Sequence, residues 1–248
     1  MPTCTCSAAS SRSSYDASLV YAPSDLDLYG LALLDNGKAP EAKAVFEKIA
    51  TDYPNPAGQE PAKAPPAIQE AQAISLFGLG RVAQEQGDVA GAGTLFEKLK
   101  SLYPWSPKVL EANYGIAASL REQGKTDEAI ALLTQIIRAP NAPTELRANS
   151  MLLGGLIQKD KGQRDAAIDY FIKISAFYEG VPVAAATGLW EGGQLLELQV
   201  AELQASDPEK AGKQKNQVLR AYKELTEKFP DSEFAPKAQE RLNALGAQ

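Results

Sequence analysis

The sequence predicts an all-α solenoid of about five helical hairpins closed by a terminal helix. The first sign is a block that recurs five times, at Phe46 to Tyr53, Phe96 to Tyr103, Leu133 to Pro140, Phe171 to Tyr178 and Tyr222 to Phe229, always seven residues from anchor to end. The second is a glycine nine residues before the first four anchors (Gly37, Gly87, Gly124, Gly162) and a small apolar residue four before all five (Ala42, Ala92, Ala129, Ala167, Val218). The third is composition: 44% hydrophobic and 23% charged residues, alanine-rich with few aromatics, suit closely packed helices better than a β-sandwich. Offsets that recur at this period mark units that cannot bury their apolar faces alone and must stack.

Residues 1–22 are Ser/Ala-rich and carry no helical stripe, so they read as a disordered arm. Residues 23–248 then read as one solenoid, with helix pairs at 24–36 and 39–52, 66–86 and 88–102, 106–123 and 126–138, 143–161 and 163–178, and 182–205 and 209–229. In each pair the turn glycine supplies the left-handed residue that reverses the chain. The helix after it carries an i, i+4, i+7 stripe, from the small residue through the anchor to Ile49, Leu99, Ile136, Ile174 or Leu225. Proline ends three blocks, at Tyr53-Pro54, Tyr103-Pro104 and Phe229-Pro230, and stops the helix there.

Seven residues before each turn glycine stands another small residue, Gly30, Gly80, Ala117 or Gly155, with Gly192 as its counterpart in the fifth repeat. A mid-helix glycine costs about 1 kcal/mol against alanine, so its recurrence at one phase implies close helix approach. Trp105 and Trp190 are expected in the inter-repeat core. Two insertions interrupt the period: a Pro/Ala-rich loop at 54–66, and a polar stretch at about 199–212 in which Asp207-Pro208 reads as an N-cap followed by a first-turn proline. A last helix at about 233–245 has no partner and is expected to cap the core.

Several function classes fall away. There is no histidine, which removes Ser-His-Asp and Cys-His catalysis and the commonest metal ligand. Cys4 and Cys6 are the only cysteines and cannot complete a tetrahedral site, so neither metal nor other cofactor is expected. Gly78-Leu79-Gly80 and Gly91-Ala92-Gly93 follow no strand and lack GK[ST], which excludes a phosphate loop. Asp127-Glu128 sits where a first helical turn favours carboxylates.

A net charge of -6 and a pI near 4.9 oppose nucleic-acid binding. The charge is uneven: residues 208–248 hold eight Lys and Arg against six Asp and Glu, while the remainder is net -8. No stretch has the roughly 20 apolar residues of a membrane span, so no direct insertion is expected. No apolar export segment is visible at the start. The expected place is the cytoplasm, or the periplasm if a signal precedes Met1.

Leu79-Gly80, Gly87, Ala92, Phe96 and Pro104 resemble the tetratricopeptide repeat, as do Gly30, Gly37, Ala42, Phe46 and Pro54. The likeness covers about residues 24–246 and implies a right-handed superhelix whose first helices line a concave groove. It also implies a non-catalytic scaffold that binds a protein or peptide; the alternatives are a structural subunit of a bacterial envelope assembly or a homo-oligomer and, more distantly, a cofactor-dependent enzyme. The groove positions carried over from the family include Phe77, Arg81, Tyr114, Arg121 and Leu152 as the expected partner-binding residues. The family's Lys and Asn clamp for a terminal carboxylate is absent, because Asp27 and Leu31, then Phe77 and Arg81, occupy its positions. The endings Tyr103-Pro104-Trp105-Ser106 and Phe229-Pro230-Asp231-Ser232 are similar to those of bacterial envelope tetratricopeptide proteins, the outer-membrane-assembly lipoproteins of the BamD type and the Tol-Pal coordinator. Met1-Pro2-Thr3-Cys4 departs from the lipobox of such lipoproteins.

Overall fold

In a computed structural model, which describes residues 19–246, eleven α-helices and no strands are found among the described residues. Cys4, Cys6 and most of the expected N-terminal arm lie outside them. The hairpins are α1 (Pro23–Asp35) with α2 (Ala39–Asp52), α3 (Pro66–Glu85) with α4 (Val89–Leu102), and α5 (Val109–Glu122) with α6 (Thr126–Arg138). They continue as α7 (Thr144–Asp160) with α8 (Arg164–Phe177), and α9 (Pro182–Leu203) with α10 (Pro208–Lys228), followed by α11 (Ala235–Ala244). Each helix packs mainly on its chain neighbours, which is the one-dimensional order of a solenoid.

The four turn glycines have φ between 70 and 77° with open space where a Cβ would be, so backbone conformation alone requires glycine there. Around Gly87 the amide donates to the Gln84 carbonyl at 3.0 Å and Asp88 N–H donates to the Ala83 carbonyl at 2.9 Å. Those are the two bonds of a Schellman end, and the same pair recurs around Gly37, Gly124 and Gly162. Asp207 caps α10 as expected, accepting from Lys210 N–H at 3.0 Å.

The mid-helix glycines serve a different purpose. A Cβ on Gly80 would lie 2.5 Å from the Phe96 ring, and one on Gly115 of the next first helix would lie 2.2 Å from it. Phe46 is held in the same way between Gly30 and Gly78, at 2.5 and 2.1 Å. Phe46, Phe96 and Phe171 are fully buried. Each ring is thus a wedge between two consecutive first helices, whose glycines make the slot. Repeat three shows the complementary solution: Leu133 replaces the aromatic, and Leu153 stands where its neighbours have glycine, both in one core cluster with Ala117. A smaller wedge leaves room for a larger wall, and volume is conserved.

Two expectations need correction. In the fifth repeat the slot residue is Gly193, whose Cβ would meet the Tyr222 ring at 2.5 Å, whereas Gly192 lies against Phe171. The insertion between α9 and α10 hides this register in the sequence. Trp105 is 53% exposed rather than core: its ring stands edge-on to Tyr103 and its Nε1 donates to Gln69 Oε1 at 3.2 Å. The α4–α5 connection carries Trp105 past the edge of the core that Tyr103 closes. Trp190 is half-buried, stacked on Phe234 with ring centroids 5.8 Å apart and tilted against Tyr222 at 5.7 Å.

That stack fastens α11 over the end of the core, and a clasp reinforces it. Arg241 donates to Glu197 through both Nε (3.1 Å) and Nη2, joining α11 to α9. Burial pushes the Glu197 carboxyl up, but the hydrogen-bonded Arg241 guanidinium and the Tyr222 phenol together outweigh it, and its pKa lies below the ordinary 4.5. The clasp therefore contributes fully above that value and is lost as pH falls through the lowered one.

Two outcomes follow from this packing. Gly115→Ala should destabilise the chain by about 1–3 kcal/mol in urea unfolding, and adding Phe96→Leu should recover part of the loss, as repeat three already does. Glu197→Gln should lower stability at neutral pH and flatten the fall in stability on acidification, read from helical circular dichroism between about pH 5 and pH 3.

Candidate partner-binding groove

The first helices α3, α5 and α7 lie side by side, and their outward turns enclose a recess of about 610 Å³. Its walls are Arg81 and Gln84 from α3, Glu111 and Tyr114 from α5, and Leu146 and Asn149 from α7. Glu85 and Glu145 stand at its margin, with Pro143 just before α7. Arg81 of α3 and Tyr114 of α5 follow from the expected groove positions, whereas Glu85 of α3 does not. Pro143, Glu145 and Leu146 do not, because the first turn of α7 reaches further toward the recess than the repeat spacing implies. The proline opening α7 was the available signal.

Among the five expected groove residues, Phe77 takes a different role from the one anticipated. It is 1% exposed, packed on Phe96 with centroids 5.9 Å apart, and it forms only the base of the recess. Lys108 lies over its ring with Nζ 4.9 Å from the centroid and pairs with Asp27 at 2.7 Å. This bridge runs from α1 to the start of α5 across α3 and seals the groove beside repeat one. A ring so covered cannot anchor a partner.

Tyr114 and Arg81 are half-buried at the centre of the recess. Burial raises the Tyr114 pKa, and the charges of Arg81 and Arg121 only partly offset this, so the phenol stays neutral and able both to donate and to accept. Arg81 forms no salt bridge among the described residues. Arg121 is engaged: its Nε and Nη2 donate to Asp160 Oδ2 at 3.0 and 2.6 Å, tying α5 to α7. Leu152 lies beyond the recess, half-buried against the core of repeats four and five.

Further along, Lys159 of α7 pairs with Glu191 of α9 at 2.5 Å. Arg121–Asp160, Lys159–Glu191 and Glu197–Arg241 thus link α5 to α7, α7 to α9 and α9 to the cap, while Asp27–Lys108 reaches from α1 past α3 to the start of α5. Such partly exposed pairs add little stability each, yet they fix the orientation of one hairpin on the next and use up charge that a ligand would otherwise meet. A second cavity, about 430 Å³, lies between α8 and α10 over Gly188 and Gly192, with Lys228 paired to Glu179 and Glu224 at its rim. No group of His, Cys, Asp and Glu suited to a metal ion occurs among the described residues, and no helix there is long and apolar enough to cross a membrane.

Repeats that stack by aromatic wedges and end in a clasped cap match known families. A family model described as YfiO, outer membrane lipoprotein, matches residues 69–247. The chain belongs to that family. A tetratricopeptide repeat model also matches residues 28–107, so the YfiO match takes in the recess and the cap while the repeat match takes in the first two hairpins.

No curated protein matches the chain significantly. Among solved structures it is similar to PilF of Pseudomonas aeruginosa, with a TM-score of 0.57 at 17% identity over 91% of this chain and 92% of that one. It is also similar to a thermophilic tetratricopeptide protein of Thermus thermophilus, with a TM-score of 0.52 at 17% identity over 90% and 98% of the two chains. YrrB, described as a tetratricopeptide protein with an unusual peptide-binding site, gives a TM-score of 0.51 at 14% identity over 87% and 90%. At these identities the likeness establishes the fold, a tetratricopeptide solenoid, and that fold serves generally as a protein-interaction scaffold.

The two ring positions separate experimentally. Phe77→Asp should unfold repeat two, costing more than about 3 kcal/mol because a carboxylate would replace a buried ring. Tyr114→Ala should leave the thermal transition much closer to wild type, and differential scanning calorimetry of both variants checks the contrast.

Proposed function

We propose that this chain is a non-catalytic scaffold that holds a segment of a partner protein in its concave groove, and that it works within an outer-membrane assembly of the bacterial envelope. The observation that carries the reading is the recess across α3, α5 and α7. It is open and pre-formed, and it pairs an apolar wall at Tyr114 and Leu146 with polar groups at Arg81, Gln84 and Asn149 that have hydrogen-bonding capacity to offer. Membership of the YfiO family favours the envelope setting. The likeness to YrrB, whose description names a peptide-binding site, favours a peptide-like occupant.

Within this reading Arg81 and Tyr114 make the central contacts, Leu152 extends the apolar wall toward repeat four, and Arg121 orients the groove through Asp160. Phe77, buried against Phe96, contacts nothing bound.

A photo-crosslinking side chain at Gln84 or Asn149 should capture one defined partner in cells, and Tyr114→Ala should abolish that product. The same reporter at Glu97, on the exposed face of α4, should not capture it. Equal capture from Glu97, or none from the groove positions, would remove the proposal. A groove-dependent product joining two copies of this chain would replace the partner with a homo-oligomer.

A further inference from the structure

Resting on the groove reading above, we propose that the occupant is a cationic segment, one that carries lysine or arginine side chains beside an aliphatic or aromatic stripe. Along the rest of the groove charge is cancelled internally, by Asp27–Lys108, Arg121–Asp160 and Lys159–Glu191. At the recess it is not. Glu85, Glu111 and Glu145 come from three successive first helices, and none forms a salt bridge among the described residues. Arg81 is the one basic side chain lining the recess, so three carboxylates against one guanidinium leave it net -2.

Helix ends account for two of these three carboxylates and not for the third. Glu111 and Glu145 stand in the first turns of α5 and α7, where a carboxylate complements the helix dipole. Glu85 is the last residue of α3, where the same dipole opposes it and no basic residue lies in the final turn. An unpaired carboxylate at an unfavourable helix end, aligned with two others around an open recess, is what a cationic side chain would complete. The apolar wall at Tyr114 and Leu146 lines the same recess as these carboxylates and suits the methylene stems of lysine or arginine. Arg81 sets a register, taking one acidic or carbonyl oxygen of the same segment. A ligand rich in carboxylates, or a nucleic acid, meets three like charges for one favourable contact.

The test uses the full chain and three labelled peptides that share one leucine-and-tyrosine pattern, with the remaining positions all lysine, all glutamine or all glutamate. Fluorescence anisotropy should show the lysine peptide binding about tenfold tighter than the glutamine peptide, and the glutamate peptide weakest, with the preference shrinking as salt is raised. The combined variant Glu85→Gln, Glu111→Gln, Glu145→Gln should lose the preference while remaining folded, with the helical circular dichroism of the parent chain. Asn149→Trp, which fills the recess, should abolish binding of every peptide.

Equal or tighter binding of the glutamate or glutamine peptide, still blocked by Asn149→Trp, overturns the cationic occupant and leaves the groove reading standing. Lysine-peptide binding that survives Asn149→Trp overturns both, as does no binding of any peptide. Self-association in light scattering that the triple variant relieves assigns the recess to a second copy and overturns the proposal.

Discussion

The architecture depends on one steric arrangement: an aromatic ring from the second helix of a hairpin, inserted between two first helices that come close enough only because they carry glycine at the point of contact. The ring does what no single hairpin can do alone. It fills the space between its own first helix and the next, so that each repeat is completed by its successor. Glycine in mid-helix weakens the isolated helix, and the cost is offset by burying a whole phenyl ring against two backbones. Ser75 adds a polar lock at one such junction, donating from a buried hydroxyl to the Phe46 carbonyl at 2.8 Å.

The wedge also shapes the groove. Rings hold the first helices at a set separation, and ion pairs between those helices then decide which parts of the concave face remain accessible. Beside repeat one, Lys108 and Asp27 close over Phe77. Between repeats three and four, Arg121 and Asp160 form a bridge that leaves Tyr114 uncovered at its edge. The recess therefore lies between two fastened sections, which is how a surface can be both rigid and open.

Most of the fold was legible because its determinants repeat. Glycine at the turn, glycine at the wedge and an aromatic at the anchor recur at fixed spacing, and helix bounds read from them fall within three residues of those found. The fifth repeat was shifted by one residue at the wedge, since an extended α9 and α10 remove the turn glycine from which the register was counted. The groove was legible only by position. Spacing placed Arg81 and Tyr114 on the face where the recess lies, but it does not distinguish a ring facing solvent from one covered by a distant lysine, and so Phe77 was misread. Lys108 lies 31 positions further along and outside the repeat phase, and no local pattern links the two. Trp105 failed for a related reason: an aromatic in a connecting segment obeys the path of that segment rather than the periodicity of the helices around it.

The cap has a consequence for how such an array can be lengthened. The exposed side of α11 is polar, with Lys237, Gln239 and Glu240 facing water, and it offers no slot for another wedge. Trp190, Phe234 and the Arg241 clasp commit the last hairpin to this lid and to no other neighbour. A hairpin stacked directly on the lid would thus meet polar side chains where other junctions offer a slot for its ring.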